Sequence, residues 1–155
     1  MAYTLFLSHS SQDFDLVRAI QDAANPLGIV VYTFEQDLQP GNNLPQKLLE
    51  RIRTCDAMIV LLTHSGAISP AVHQEIGAAK QANKLIIPIV DDGIDPKAFP
   101  LLQGTEYLML NRSDLAETLQ KLTIRLAQLK NTSDLNRVIS ALILAALAFL
   151  IFRSS

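Results

Sequence analysis

Apolar and polar positions along the first 130 residues fall into blocks that read alternately as strand and helix. Residues 4–7 are a short apolar run bounded by turn formers, a candidate buried strand. The polar segment Ser8-His9-Ser10-Ser11-Gln12-Asp13 follows, with Ser10 and Asp13 at capping-box spacing for the next helix. Phe14, Val17, Ile20, Ala24 and Leu27 give that helix one apolar face, and Asn25-Pro26 with Gly28 ends it. A second strand is predicted over 29–32, then a long polar loop over 34–43 with the turn signal Pro40-Gly41. A helix over 44–54 carries Pro45 in its first turn. Residues 58–62, MIVLL, are continuously apolar, as in a strand buried on both faces of a parallel sheet. A loop is predicted over 63–68, a helix after it, and a fourth strand over 85–90, where Pro88 sits awkwardly with a central position. Residues 91–104 read as loop with a helical turn near 97–102, and 107–110 as a fifth strand. The last helix of this region, over 114–129, is capped by Ser113 or Asp114 and has one stripe of Leu115, Leu119, Leu122, Leu126 and Leu129.

Five strands alternating with helices give an α/β class with a central parallel sheet and right-handed crossovers. The expected order is flavodoxin-like, 2-1-3-4-5. A ligand cleft then belongs at the switch point outside the C-terminal ends of strands 1 and 3, between the loops 8–13 and 63–68.

The helix after the second of those loops, SPAVHQEIGAAKQA, starts with Ser69 as N-cap and Pro70 at the first helical position. Val72, Ile76 and Ala79 form its buried stripe. Glu75 projects from another face, with Ala71, Ala78 and Ala79 as its helical neighbours. It reads either as a solvated surface glutamate or as a carboxylate with open space in front of it.

Residues 130–136, KNTSDLN, read as a polar linker, and 138–152, VISALILAALAFLIF, as 15 residues with no charge and one hydroxyl. As a helix this run spans roughly 22 Å, against a bilayer core of about 30 Å. Arg137 and Arg153 extend it by snorkelling, and the lack of a polar face argues against an interfacial helix. Ala141 and Ala145 have small-xxx-small spacing. The expected organisation is a domain over 1–130, a linker over 131–136 and a membrane tail anchor over 137–153. A buried core helix or a handle for self-association are the alternatives.

Composition narrows the function. Thirteen basic and 15 acidic residues, net −2, leave no electrostatic footprint for nucleic acid. The single cysteine, Cys55, excludes an internal disulfide, fits a reducing compartment, and reads as a buried inert thiol. The N-terminus has no basic segment followed by a long apolar one, so no signal peptide is expected. No Gly-rich phosphate loop, no zinc pattern among His9, His64, His73 and Cys55, and no G-x-S-x-G elbow is present.

Three blocks in the expected order and on the expected elements resemble TIR (Toll/interleukin-1 receptor) domains over about residues 1–130. TLFLSHSSQD resembles the first TIR box. The stretch from Asp37 through Pro40-Gly41 to Leu44 resembles the BB loop. SPAVHQE resembles the S-x-W-x-x-x-E helix of TIR domains that cleave NAD+, with Ser69 as the motif serine, Glu75 as the catalytic glutamate and Ala71 where the family often has Trp. Phe34 or Tyr32 is then the candidate to take over the role of that Trp.

The resemblance implies an NAD+ glycohydrolase, with NAD+ as substrate and no further cofactor or metal. It implies Glu75 as the catalytic residue and Ser8, His9, Ser10, Phe34, Ser69 and Ala71 as substrate-contacting positions. For the serines of the first loop, simple capping of the following helix is an equal reading. The resemblance also implies self-association through the BB loop, residues 34–43, and a role as a defence or signalling effector. Cleaving the nicotinamide–ribose bond expels a neutral pyridine through an oxocarbenium-like state, which a nearby carboxylate stabilises. Two other functions fit the sequence: a non-enzymatic TIR adaptor, or a membrane-disrupting effector acting through its tail. The TIR domain is expected in the cytoplasm, since Lys121, Arg125, Lys130 and Arg137 precede the apolar run and only Arg153 follows it.

Overall fold

The computed structural model describes residues 2–37, 41 and 43–154. The chain forms two units, Met1–Thr123 and Ile124–Ser155. The first is built on β1 (Tyr3–Ser8), α1 (Phe14–Ala24), β2 (Ile29–Tyr32), α2 (Leu44–Thr54), β3 (Ala57–Leu62), α3 (His64–Ala67), α4 (Pro70–Gln81), β4 (Leu85–Val90) and β5 (Leu108–Met109), and α5 (Leu115–Arg153) begins in it. The five strands make one sheet in the order β2-β1-β3-β4-β5, every pair parallel. This is the flavodoxin-like order expected from the alternation of apolar runs.

Continuous apolar strands bury both faces of the sheet. Phe6, Met58, Val60 and Leu62 pack with Ile52 of α2 and Val72, Ile76 and Ala79 of α4 in one cluster. Leu5, Leu7, Ile59 and Leu61 alternate with them, point to the opposite face by the two-residue period, and are just as buried. Pro88 is tolerated because β5 joins β4 only at Ile89 and Val90, beyond the proline. The Leu110 amide extends that pairing by donating to the Val90 carbonyl at 2.7 Å.

Several local expectations change. Residues 63–68 are not an open loop: they hold the single-turn helix α3, capped by Thr63, whose Oγ1 accepts from the Gly66 amide at 3.0 Å. The capping box at Ser10 and Asp13 does not form. Ser10 Oγ accepts from the Gln12 amide instead, and the Asp13 side chain makes no cap. Phe14 is about half exposed rather than part of the buried face of α1, because it stands at the first helical position and meets the His9 ring edge-on at 5.8 Å. Two short 3-10 turns, Pro96–Ala98 and Pro100–Leu102, occupy the loop before β5. Asp114 caps α5, accepting from the Glu117 amide at 3.2 Å.

Residues 130–136, the expected polar linker, are helical and lie within α5. No Gly or Pro occurs between 114 and 153, so nothing in the backbone stops the helix. In the second unit the apolar side chains from Val138 to Phe152 are exposed, which sets aside a buried core helix. Among the described residues this is the one helix long and apolar enough to cross a membrane, by length and composition.

Candidate active site

A cavity of about 630 Å³ opens at the C-terminal ends of β1 and β3, where the strand order reverses. The β1–α1 loop contributes His9, Ser10, Ser11 and Gln12, and the turn after β2 contributes Phe34 and Glu35. Leu44, Pro45 and Leu48 come from the start of α2. Ser65 of α3, the N-cap Ser69, and Ala71, Gln74 and Glu75 of α4 close the remaining side. The volume falls in the usual range for small-molecule sites.

Two contacts fix the floor. The Thr63 hydroxyl donates to Asp13 Oδ2 at 2.7 Å, tying the end of β3 to the start of α1. Gly66 then packs so closely under the strand that a Cβ there would lie 2.1 Å from the Leu61 carbonyl oxygen. Only glycine lets α3 turn back at this point, and that turn delivers Ser69 and α4 to the cavity.

Ser69 Oγ accepts from the Val72 amide at 3.4 Å, with Pro70 at the first helical position. Val72, Ile76 and Ala79 anchor α4 to the sheet. At about 100° per residue, Glu75 lies about 60° from Val72 and about 40° from Ala79. It therefore borders the buried stripe and is only 4% exposed. The reading of Glu75 as a solvated surface residue is overturned. Its Oε2 has no hydrogen-bond partner, and neither has the Ser8 hydroxyl, which is fully buried at the end of β1.

Burial pushes the Glu75 carboxyl up to about 7. The Ser8 hydroxyl and His9 pull the other way, and the Glu35 carboxylate adds to the rise. No hydrogen bond within 3.5 Å joins Ser8 to Glu75, so the influence of that hydroxyl is one of proximity. Near neutral pH a carboxyl of this kind is divided between its acid and ionised forms.

Six of the seven positions expected at the site share the cavity wall: His9, Ser10, Phe34, Ser69, Ala71 and Glu75. Ser8 does not, because it lies inside the sheet. Of the two aromatic candidates to replace the missing Trp, Phe34 lines the cavity, whereas the Tyr32 ring lies 4.2 Å beneath the Arg51 guanidinium. Glu35, Gln74 and the α2 residues Leu44, Pro45 and Leu48 were not expected there. The i, i+4 spacing of Leu44 and Leu48 and the position of Gln74 three residues after Ala71 were the available signals. The part of the BB loop formed by Leu38, Gln39, Pro40 and Asn42 lies outside the described residues. Among the described residues no group of three or more His, Cys, Asp or Glu is placed to hold a metal ion.

Cys55 is buried, and burial pushes its thiol up to about 11, as an inert structural cysteine requires. At the far end of the sheet, Arg112 grips the buried Asp91 through Nε at 2.9 Å and a terminal nitrogen at 2.7 Å. Burial opposes the Asp91 charge, but the guanidinium holds its carboxyl below the usual carboxylate range.

Comparison with known proteins places these features. The family model described as TIR domain matches residues 5–123. The NAD(+) hydrolase TcpC of Escherichia coli O6:H1 is 31% identical over 93 residues, which are 56% of this chain and 30% of that protein. The chain thus spans less than a third of that relative's length. The TIR domain of the Toll-related receptor TRR-2 from Hydra magnipapillata superposes with a TM-score of 0.65 at 16% identity, covering 80% of this chain and 97% of that one. The CMP N-glycosidase BcmB of Clostridium botulinum does so with a TM-score of 0.61 at 21% identity, covering 78% and 98%. At such identities both superpositions speak to the fold alone.

Proposed function

The chain belongs to the TIR domain family, and from that premise we propose that it is an NAD+ glycohydrolase in which Glu75 acts on the nicotinamide–ribose bond. One observation carries this reading: Glu75 presents a buried carboxylate oxygen with no partner at the wall of a nucleotide-sized cavity. A charge in that position is costly unless something cationic meets it. The N-glycosidic carbon of NAD+ carries positive character in the ground state and more in the oxocarbenium-like transition state. The site is therefore built to stabilise the transition state over the empty pocket. A relative bearing the name NAD(+) hydrolase supports the same chemistry.

In this reading the C1′–N bond breaks and its electron pair leaves with neutral nicotinamide. Ionised Glu75 faces the sugar and stabilises the developing charge. Phe34 supplies an aromatic wall where the family Trp is replaced by Ala71, and Ser10 and Ser69 present hydroxyls to the substrate. Water then adds its oxygen to C1′ and releases a proton to solvent, giving ADP-ribose, or a nucleophilic atom of the ADP-ribose moiety itself adds to C1′, giving its cyclic form. We infer that activity follows self-association through the loop after β2, as in a defence or signalling effector. The exposed apolar run 138–152 serves as a membrane anchor, with the basic residues before it on the cytoplasmic side.

The test is nicotinamide release from NAD+ by the full chain, clustered on lipid vesicles. Glu75→Gln keeps shape and hydrogen bonding and is expected to slow the reaction about 10²–10³-fold. A Gln variant that turns over at the wild-type rate rules the assignment out. A wild-type chain that is inactive even when clustered leaves the adaptor function in its place.

A further inference from the structure

Ser10, Ser65 and Ser69 all line the cavity, but their hydrogen bonds leave them with different things to offer a ligand. Ser10 Oγ accepts from the Gln12 amide at 3.1 Å, and Ser69 Oγ accepts from the Val72 amide at 3.4 Å. Each keeps its own hydrogen to donate. Ser65 stands in the opposite position. Beneath it, the Thr63 hydroxyl gives its one hydrogen to Asp13 Oδ2 at 2.7 Å, and its oxygen takes the Gly66 amide at 3.0 Å. Ser65 Oγ lies 3.2 Å from that Thr63 oxygen and 3.5 Å from Asp13 Oδ2. Thr63 has no second hydrogen, so Ser65 is the donor of the pair; otherwise two oxygens would meet lone pair to lone pair. Both acceptors within its reach lie on the protein side. Thr63 is 1% exposed and Asp13 7%, so water does not compete for them. Ser65 therefore turns lone pairs alone toward the cavity.

We propose that Ser65 is a specificity-determining residue, an acceptor-only hydroxyl that takes a hydrogen-bond donor from the nicotinamide–ribose half of the substrate. The proposal rests on the assignment of Glu75 to the nicotinamide–ribose bond, because Ser65 on α3 closes the same side of the cavity as Glu75 on α4. That half of NAD+ offers two kinds of donor, the carboxamide N–H and the ribose hydroxyls. A group that only accepts, put in the same place, faces the Ser65 lone pairs with the Asp13 carboxyl behind them, and is rejected.

Ser65→Ala isolates this contact. Removing the hydroxyl strands nothing inside the protein: Asp13 Oδ2 keeps the Thr63 hydroxyl, and Thr63 keeps Asp13 and the Gly66 amide. The variant is expected to melt within a few degrees of its parent.

The test is binding, measured by titration calorimetry on the full chain in detergent micelles. All variants carry Glu75→Gln, so that ligand is not consumed. The ligands are NAD+ and four analogues. One has a carboxylate in place of the carboxamide, two lack the 2′- or the 3′-hydroxyl of the nicotinamide ribose, and one has an oxo group in place of the adenine amine. The analogue that lacks the donor taken by Ser65 is expected among the first three. Adding Ser65→Ala is expected to weaken NAD+ about tenfold, the cost of one lost hydrogen bond, and to leave that analogue where it was. Its disadvantage against NAD+ then shrinks about tenfold. Ser65→Cys keeps the shape with a poor acceptor and is expected to act in the same direction. A merely structural role would weaken every ligand alike. An equal loss for all ligands, or a Ser65-dependent preference against the adenine analogue alone, overturns the proposal while NAD+ binding stands. Absence of any NAD+ binding overturns it together with the glycohydrolase reading. A Ser65-dependent preference in a protein whose wild type releases no nicotinamide removes the glycohydrolase reading and leaves Ser65 as the residue that selects a donor.

Discussion

Replacing Glu75 by Gln is expected to make the protein more stable at neutral and alkaline pH while it slows the proposed reaction. In the folded chain burial pushes this carboxyl up to about 7. In the unfolded chain a glutamate titrates near its ordinary value of about 4.3. A carboxyl whose value is raised by folding gives a stability that is complete below the unfolded value. That stability is lost as pH rises through the folded one. The two values differ by more than two pH units, each worth about 1.4 kcal/mol, so ionising Glu75 costs the native state about 3 kcal/mol at pH 8. The group is almost wholly buried, so solvent screening removes little of this. Gln carries no charge and escapes the penalty. Urea unfolding of the full chain in a non-ionic detergent, followed by circular dichroism, measures it. The stability difference between Gln and wild type is expected to grow by about 2–3 kcal/mol in favour of Gln between pH 5 and pH 8. A difference that does not change with pH, or a wild type that is the more stable at pH 8, refutes the reasoning. A stability–activity trade of this kind is what the role proposed for Glu75 in a dry site requires.

Gly66→Ala places a Cβ against the Leu61 carbonyl and is expected to lower stability by about 2 kcal/mol or more, read from the urea midpoint. The Cys55 thiol is expected to resist alkylation at pH 8 in the native state and to react on unfolding; modification without unfolding contradicts its burial. Phe34→Ala removes the aromatic wall and is expected to raise KM for NAD+ several-fold, with the melting temperature within a few degrees of wild type. Deleting residues 136–155 is expected to release the chain from the membrane fraction; a full-length chain already wholly soluble speaks against the anchor.

The sequence alone determined the sheet. Runs such as MIVLL and LIIPIV have no polar face, so they had to be covered on both sides, and their alternation with helical periodicity left a doubly wound parallel sheet as the solution. The switch-point position of the cleft followed from the strand order. Cap chemistry was legible where one residue supplies it, as at Ser69-Pro70 and Asp114. It failed at Ser10 and Asp13, because the Thr63 hydroxyl, 50 residues away in sequence, is the partner Asp13 takes. The break expected at 130–136 was inferred from polarity, yet polarity does not stop a helix that lacks Gly and Pro.

Only the tertiary structure decided the electrostatics of the site. Glu75 was placed by its motif, and its helical angle already set it at the border of the buried stripe. Whether a border residue is wet or dry depends on what the neighbouring elements put over it. Here the β1–α1 loop and the turn after β2 line the same cavity, and with them come His9 and Glu35 beside Glu75. Hydrophobic pattern is a property of one segment and can be read along the chain. The ionisation of a buried carboxylate is set by groups that the fold alone brings together, from three separate stretches of sequence.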